Sequence, residues 1–184
     1  MNEILTAIAN RYSCRDFAST PLTDEQTQAI VNAALAAPSG MNMQPWHLIV
    51  VRDKALIEEY DAAGMSILAA AEDQTLHQRM MDRGGKLLYN APCMILILSN
   101  GSGLASIDCG IQCQTITLAA QSLGLGSCIV GMAGVPLNGP RADEFKKRLK
   151  IPEGFQFVIG VLIGTVISGK EPHELDYEKV TYIR

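Results

Sequence analysis

"ITLAAQSLGLGSCIVGMAGV", residues 116–135, carries no charged residue and matches the length of a membrane-spanning helix. Gly124 and Gly126 interrupt it where a helical pattern would end and a strand begin. The run therefore reads as a helix, a Gly-Leu-Gly turn and a strand, two buried elements of a globular protein. That choice decides the fold class. Upstream, apolar positions 107, 111, 116, 118, 119 and 123 mix with small residues, which predicts a helix over 107–123 packed on most of its circumference. "SCIVGM" is then one core strand, with "HLIVV" (47–51), "CMILIL" (93–98) and "FQFVIGVLIG" (155–164) as the others.

Between these strands the helical signals are plain. Ile4, Leu5 and Ile8 sit at helical spacing over 2–10, and "TDEQ" at 23–26 suits the cap and first turn of a helix over 23–36. Residues 53–90 read as mostly helical with an interruption at Gly84 and Gly85, and 140–149 as a short charged helix. "APSGMNMQPW", with two prolines and a glycine, is a loop between a helix and a core strand, a common place for a binding segment. In the tail "TVISGKEPHELDYEKVTYIR", "KVTYI" has strand propensity, and the tail is expected to wrap over the domain or onto a partner. No repeat or linker divides the chain, so residues 1–184 read as one α+β domain whose helices cover a mixed central sheet.

Composition limits the partners. At 48% hydrophobic and 18% charged residues over 184 positions, the chain is a globular protein able to bury a substantial core. Its net charge of −4 opposes binding to nucleic acid or to an anionic membrane surface. Cys14, Cys93, Cys109, Cys113 and Cys128 form no CxxC pair, and His47, His77 and His173 are scattered, so no zinc-like spacing appears. The thiols read as reduced. "MNEILTAIANR" has an acid at position 3 and does not resemble a secretory signal, so a cytoplasmic location is expected.

"RYSCRDF", residues 11–17, places Arg11, Ser13 and Arg15 at alternate positions after the first helix. On an extended segment they share one face, and two guanidiniums with a hydroxyl would suit a phosphate. A solvated basic helix end explains the spacing equally well.

Read with "APSGMNMQPWH" (37–47), this block resembles the FMN-dependent nitroreductase family. The matching positions are Arg11, Ser13, Arg15 and Phe17, then Pro38, Ser39, Asn42, Gln44, Pro45 and Trp46. "LAAQSLGLGSCIVGM" and "IGTVISGKEP" resemble later parts of the same family, so the similarity runs over most of the chain. The resemblance implies a homodimer with FMN in the subunit interface and the tail reaching toward the partner. Arg11, Ser13 and Arg15 would hold the phosphate and ribityl end, with Lys170 as a further cation. Pro38, Ser39, Gly40 and Asn42 would reach the flavin from the other subunit and Gln44 from the first. Val130 or Gly131 would offer a backbone N–H toward the flavin N5 side.

The same resemblance implies ping-pong turnover: NADH or NADPH gives hydride to FMN and leaves, and a small oxidant such as a nitroaromatic or quinone is then reduced. No side-chain acid or nucleophile is assigned, and no GxGxxG fingerprint marks a separate nicotinamide domain. Alternatives are a specialised flavin reaction (dehalogenation, flavin fragmentation or dehydrogenation) or a non-catalytic FMN-binding module. The region 61–85 is expected to cover the flavin and select substrate. Trp46 reads as packing, Cys109 and Cys113 as core, Lys86 as a surface lysine or basic flavin contact, and Asp108 as a first-turn acid of the long helix.

Overall fold

A computed structural model gives the structure of residues 2–184. Six α-helices, α1 (Glu3–Asn10), α2 (Asp24–Leu35), α3 (Lys54–Ala69), α4 (Thr75–Met81), α5 (Ala105–Ser122) and α6 (Ala142–Arg148), surround four strands. The strands are β1 (Trp46–Val51), β2 (Cys93–Ser99), β3 (Gly126–Val130) and β4 (Gln156–Gly164), in the spatial order β1-β2-β4-β3. Helix starts follow local chemistry. The Asn2 side chain accepts from the Leu5 N–H, Thr23 and Gln26 form a reciprocal capping box, and Asp53 accepts from the Leu56 N–H.

All seven residues of β2 are buried, because this strand is covered on both faces. Its alternation separates two cores. Cys93, Ile95 and Ile97 pack with Ile30 and Ala34 of α2 and with Cys109, Cys113, Ile116 and Ala120 of α5. Met94, Leu96 and Leu98 pack on the opposite face with Ile57, Tyr60 and Leu68 of α3, Met80 of α4 and Phe145 of α6. The result is helix, sheet, helix in three layers.

The expected mixed sheet takes a particular form. Among the described residues all strand pairings are antiparallel, and the one parallel element is the isolated Ser13–Ser127 bridge. β2, α5 and β3 form a crossover whose two strands run in the same direction, but β4 inserts between them and pairs antiparallel with both. Only folding the last strand back into the middle produces this order. "KVTYI" forms no strand; a short 3-10 turn at Tyr177–Lys179 lies in a tail that is exposed from Ile167 onward apart from a half-buried Pro172. "SCIVGM" stops as a strand at Val130, and Gly131 begins a 3-10 segment running to Asn138.

The Gly-Leu-Gly turn has two distinct requirements. Gly124 adopts φ +71°, the left-handed conformation that ends α5. Gly126 is needed for space: a Cβ there would lie 2.6 Å from Val166 Cγ2 and 2.9 Å from Cys14 Cβ. This close approach lets the 11–17 segment lie against β3, with the Cys14 N–H donating to the Ser127 carbonyl at 2.8 Å.

Candidate functional site

The 11–17 segment is extended beside β3 but does not bury alternate residues. Cys14 and Phe17 are buried, Arg11 and Ser13 are half-buried, and Arg15 is exposed. Two bridges hold it, Ser13 to Ser127 and Phe17 to Val166. The Arg15 guanidinium lies over the Tyr89 ring, 5.9 Å from its centroid, which fixes the cation without neutralising it. Arg15, Tyr89, Cys128, Val130 and Gly131 line one cavity of about 190 Å3. At Gly131 an added Cβ would meet only Ile159, at 3.9 Å, so the strand end is open to a close ligand.

Two arginines join this cavity that the sequence reading did not single out. Arg79 of α4 and Arg83 just beyond it contribute to the lining together with Leu76, Met80 and Met132. Three arginines and no carboxylate therefore face the same space. Among the described residues, none of Arg11, Arg15, Arg79 and Arg83 has an acidic partner within 4 Å, whereas Arg52, Arg141 and Arg148 are all paired. The field of the cluster reaches the Cys128 thiol: burial raises its pKa, and Arg15, Arg83 and Arg11 pull it back, against Cys14. The Arg79/Arg83 spacing of four residues at a predicted helix end was the available sequence signal.

Tyr89 is held from below. Asp61 on α3 is 4% exposed and accepts the Leu88 N–H at 2.6 Å, one residue before Tyr89. Burial raises its pKa, opposed by the Leu88 N–H, Lys86 and the Leu87 N–H. Lys86 Nζ lies 4.0 Å from Asp61 Oδ2, so in this structure that lysine serves the buried acid.

The Pro38–Gln44 loop is a second, separate group. Met41, Asn42 and Gln44 take φ values of 51°, 55° and 46°, a strained run for non-glycine residues. Side chains hold it there: Ser39 Oγ accepts the Gln44 N–H at 2.9 Å, and Asn42 Oδ1 accepts from the Gln44 amide at 2.9 Å. Asp108, buried in the first turn of α5, accepts the Gly40 N–H at 3.0 Å. Asp108 is thus a tie between α5 and the loop, a long-range role that a first-turn acid does not announce. Gln44 belongs with Ser39 and Asn42, and Pro38 and Gly40 with the same turn.

Within one chain the two groups do not meet. Gly40 is fastened to the start of α5, while Ser13 is fastened to Ser127 beyond its end, and the rise from Asp108 to Ser122 is about 21 Å. The cavity beside Arg15 is also below the roughly 300 Å3 at which small-molecule pockets usually begin. Lys170 is exposed in the tail. The preceding residues anchor that tail to the 11–17 segment, since Ser168 Oγ donates to Asp16 Oδ2 at 2.6 Å and Gly169 approaches the Tyr12 hydroxyl. Trp46 and all five cysteines are buried; burial pushes the Cys93 and Cys113 thiols up to about 12.

The fold and site define a three-layer α+β protein with an arginine-rich half-site at the end of an antiparallel sheet. Comparison with known proteins is consistent and specific. The chain belongs to the nitroreductase family, whose family model matches residues 8–165. It is 50% identical to a nitroreductase with bound FMN from Desulfitobacterium hafniense, with TM-score 0.96 and full coverage of both chains. A nitroreductase with bound FMN from Bacteroides fragilis shares the fold at TM-score 0.90 and 24% identity, again over the whole of both chains. An FMN reductase [NAD(P)H] of Bacillus subtilis is 28% identical over 171 residues, which is 89% of this chain and 66% of that relative. No helix among the described residues is long and apolar enough to cross a membrane.

Proposed function

We propose that this chain is an FMN-dependent NAD(P)H oxidoreductase acting as a homodimer on small oxidants such as nitroaromatics and quinones. The observation that carries this reading is the cavity that sets unpaired arginines beside the open strand end at Val130 and Gly131. The donor set suits FMN: guanidiniums and a serine hydroxyl for a phosphate, and a glycine backbone for a flat ring at van der Waals distance. Similarity to FMN-bound nitroreductases supports the same assignment. Bound FMN supplies hydride acceptance from NADH or NADPH and its return to the oxidant.

The chain's own residues then have distinct tasks. Arg11, Ser13 and Arg15 bind the phosphate and ribityl end, with Lys170 as a further cation brought near by the anchored tail. Tyr89 fixes the plane of Arg15, and Val130 and Gly131 present backbone toward the ring. Pro38, Ser39, Gly40, Asn42 and Gln44 of a second copy close the site and exclude water, because about 21 Å of helix separates them from Arg15's segment in the same chain. Exposed apolar residues on α1 and on and just before α5, Ile4, Leu5, Ile8, Leu104, Ile107 and Ile111, supply a surface for that second copy. The exposed tail is long enough to continue onto it. Reduced, buried thiols support a cytoplasmic setting.

The test is an absorbance spectrum of the purified protein, followed by anaerobic NADH and NADPH in separate cuvettes and then a quinone or nitroaromatic. A flavin spectrum that bleaches and recovers is expected. Protein that takes up no FMN would overturn the assignment, and tight FMN without turnover would make it a binding module.

A further inference from the structure

The cavity beside Arg15 holds more positive charge than one FMN phosphate neutralises. That phosphate carries roughly −1.5 to −2 near neutral pH, which Arg15 of the cavity and Arg11 of the same segment, outside the lining, together match. Arg79 and Arg83 remain in the same cavity, with no acidic partner among the described residues and no carboxylate in the lining. Packing like charges around one space is unfavourable unless an anion enters it. They come from a different part of the chain than the phosphate segment, α4 and the turn after it, and Leu76, Met80 and Met132 join them in the lining. Apolar walls with two guanidiniums suit an oxyanion carried on a flat apolar body.

We propose that Arg79 and Arg83 form a second oxyanion subsite that selects reactants bearing a phosphate or carboxylate. This rests on the functional reading above and deepens it. The subsite recognises an anion on the molecule that visits the flavin, either the 2′-phosphate of NADPH or a ring carboxylate of the oxidant. Arg79 is exposed and Arg83 half-buried, so the pair is open to an incoming charge from solvent. Recognition at this subsite appears mainly in KM, since the charge lies away from the atoms that react.

The test uses FMN-loaded wild type, Arg79→Gln and Arg79→Lys. Steady-state kcat/KM is compared for NADPH against NADH, and for 4-nitrobenzoate against its neutral methyl ester. Loss of one charge-assisted contact should lower the anionic-to-neutral ratio about tenfold or more in Arg79→Gln, mostly through KM, with Arg79→Lys recovering part of it. A fall in the NADPH/NADH ratio assigns the subsite to the 2′-phosphate, and a fall in the nitrobenzoate/ester ratio assigns it to the carboxylate. Ratios within twofold of wild type in both pairs would overturn the proposal, as would loss of bound FMN from Arg79→Gln, which would make the residue a cofactor contact. Calorimetric titration of adenosine 2′-monophosphate and 4-nitrobenzoate into the same proteins reads the subsite without turnover. A wild type that binds these anions but does not turn over would thus refute the functional reading and support the subsite; equal binding by wild type and Arg79→Gln would refute the subsite alone.

Discussion

Asp61 offers the sharpest test of how the fold supports the site. Its carboxylate is 4% exposed, accepts the Leu88 N–H at 2.6 Å and holds the turn that presents Tyr89 to Arg15. In Asp61→Ala the Leu88 N–H, itself fully buried, loses its acceptor. An unsatisfied buried donor costs about 1–3 kcal/mol, and removing the burial of a carboxylate returns part of that, so a net loss of about 2 kcal/mol is expected. Asp61→Asn keeps an acceptor and should lose less than about 1 kcal/mol near neutral pH. The pH dependence has a definite sign. Burial raises the folded-state pKa above the ordinary 3.8, so the native protein holds this proton to higher pH than the unfolded chain does. The Asp61 contribution to stability is therefore greatest near pH 3.8 and below, and falls as pH rises through the folded pKa. The gap between wild type and Asp61→Asn should narrow over the same window. Urea unfolding at fixed excess FMN, at several pH values, measures this. Asp61→Ala within about 0.5 kcal/mol of wild type, or a gap that widens with pH, would refute the reasoning.

Three further outcomes are expected. Arg15→Ala removes a charge-assisted contact worth about 1.5–3 kcal/mol and should weaken FMN retention on dialysis at least tenfold; unchanged affinity would count against the phosphate assignment. Gly126→Ala forces a Cβ to within 2.6 Å of Val166 and 2.9 Å of Cys14, costing about 1–3 kcal/mol in overpacking and shifting Ser13 and Arg15 enough to lower FMN affinity, both readable from one thermal and fluorescence titration. Cys93 and Cys113, with thiols pushed up to about 12 by burial, should resist alkylation at pH 8 in the native protein and react fully in urea, by mass spectrometry; rapid native labelling of either would contradict their burial.

Part of the candidate site was legible because its residues are close in sequence. Arg15 needed only an extended segment beside β3 to reach the cavity, and the Gly-Leu-Gly turn announced where α5 would end. Other parts were hidden because their partners are far away along the chain. Asp108 meets Gly40 across 68 positions, and Asp61 meets Leu88 across 27. Arg79 and Arg83 look like an ordinary helix end until the fold brings them to the cavity that Arg15 and Val130 also line. Lys86 looked like a surface or flavin lysine until Asp61 was buried next to it. Gln44, expected on the opposite side of a shared site from Ser39 and Asn42, is tied to both within its own turn.

By itself, the sequence determined most of the helices and strands and their buried faces, because 3.6- and 2-residue periodicities, caps and left-handed glycines act over a few residues. The insertion of β4 between β2 and β3, the separation of the Pro38–Gln44 loop from Arg15 by the length of α5, and the excess positive charge beside Gly131 were decided only by tertiary structure. Those features depend on which distant surfaces pack together, and burial of apolar area has no direction or register until the layers close.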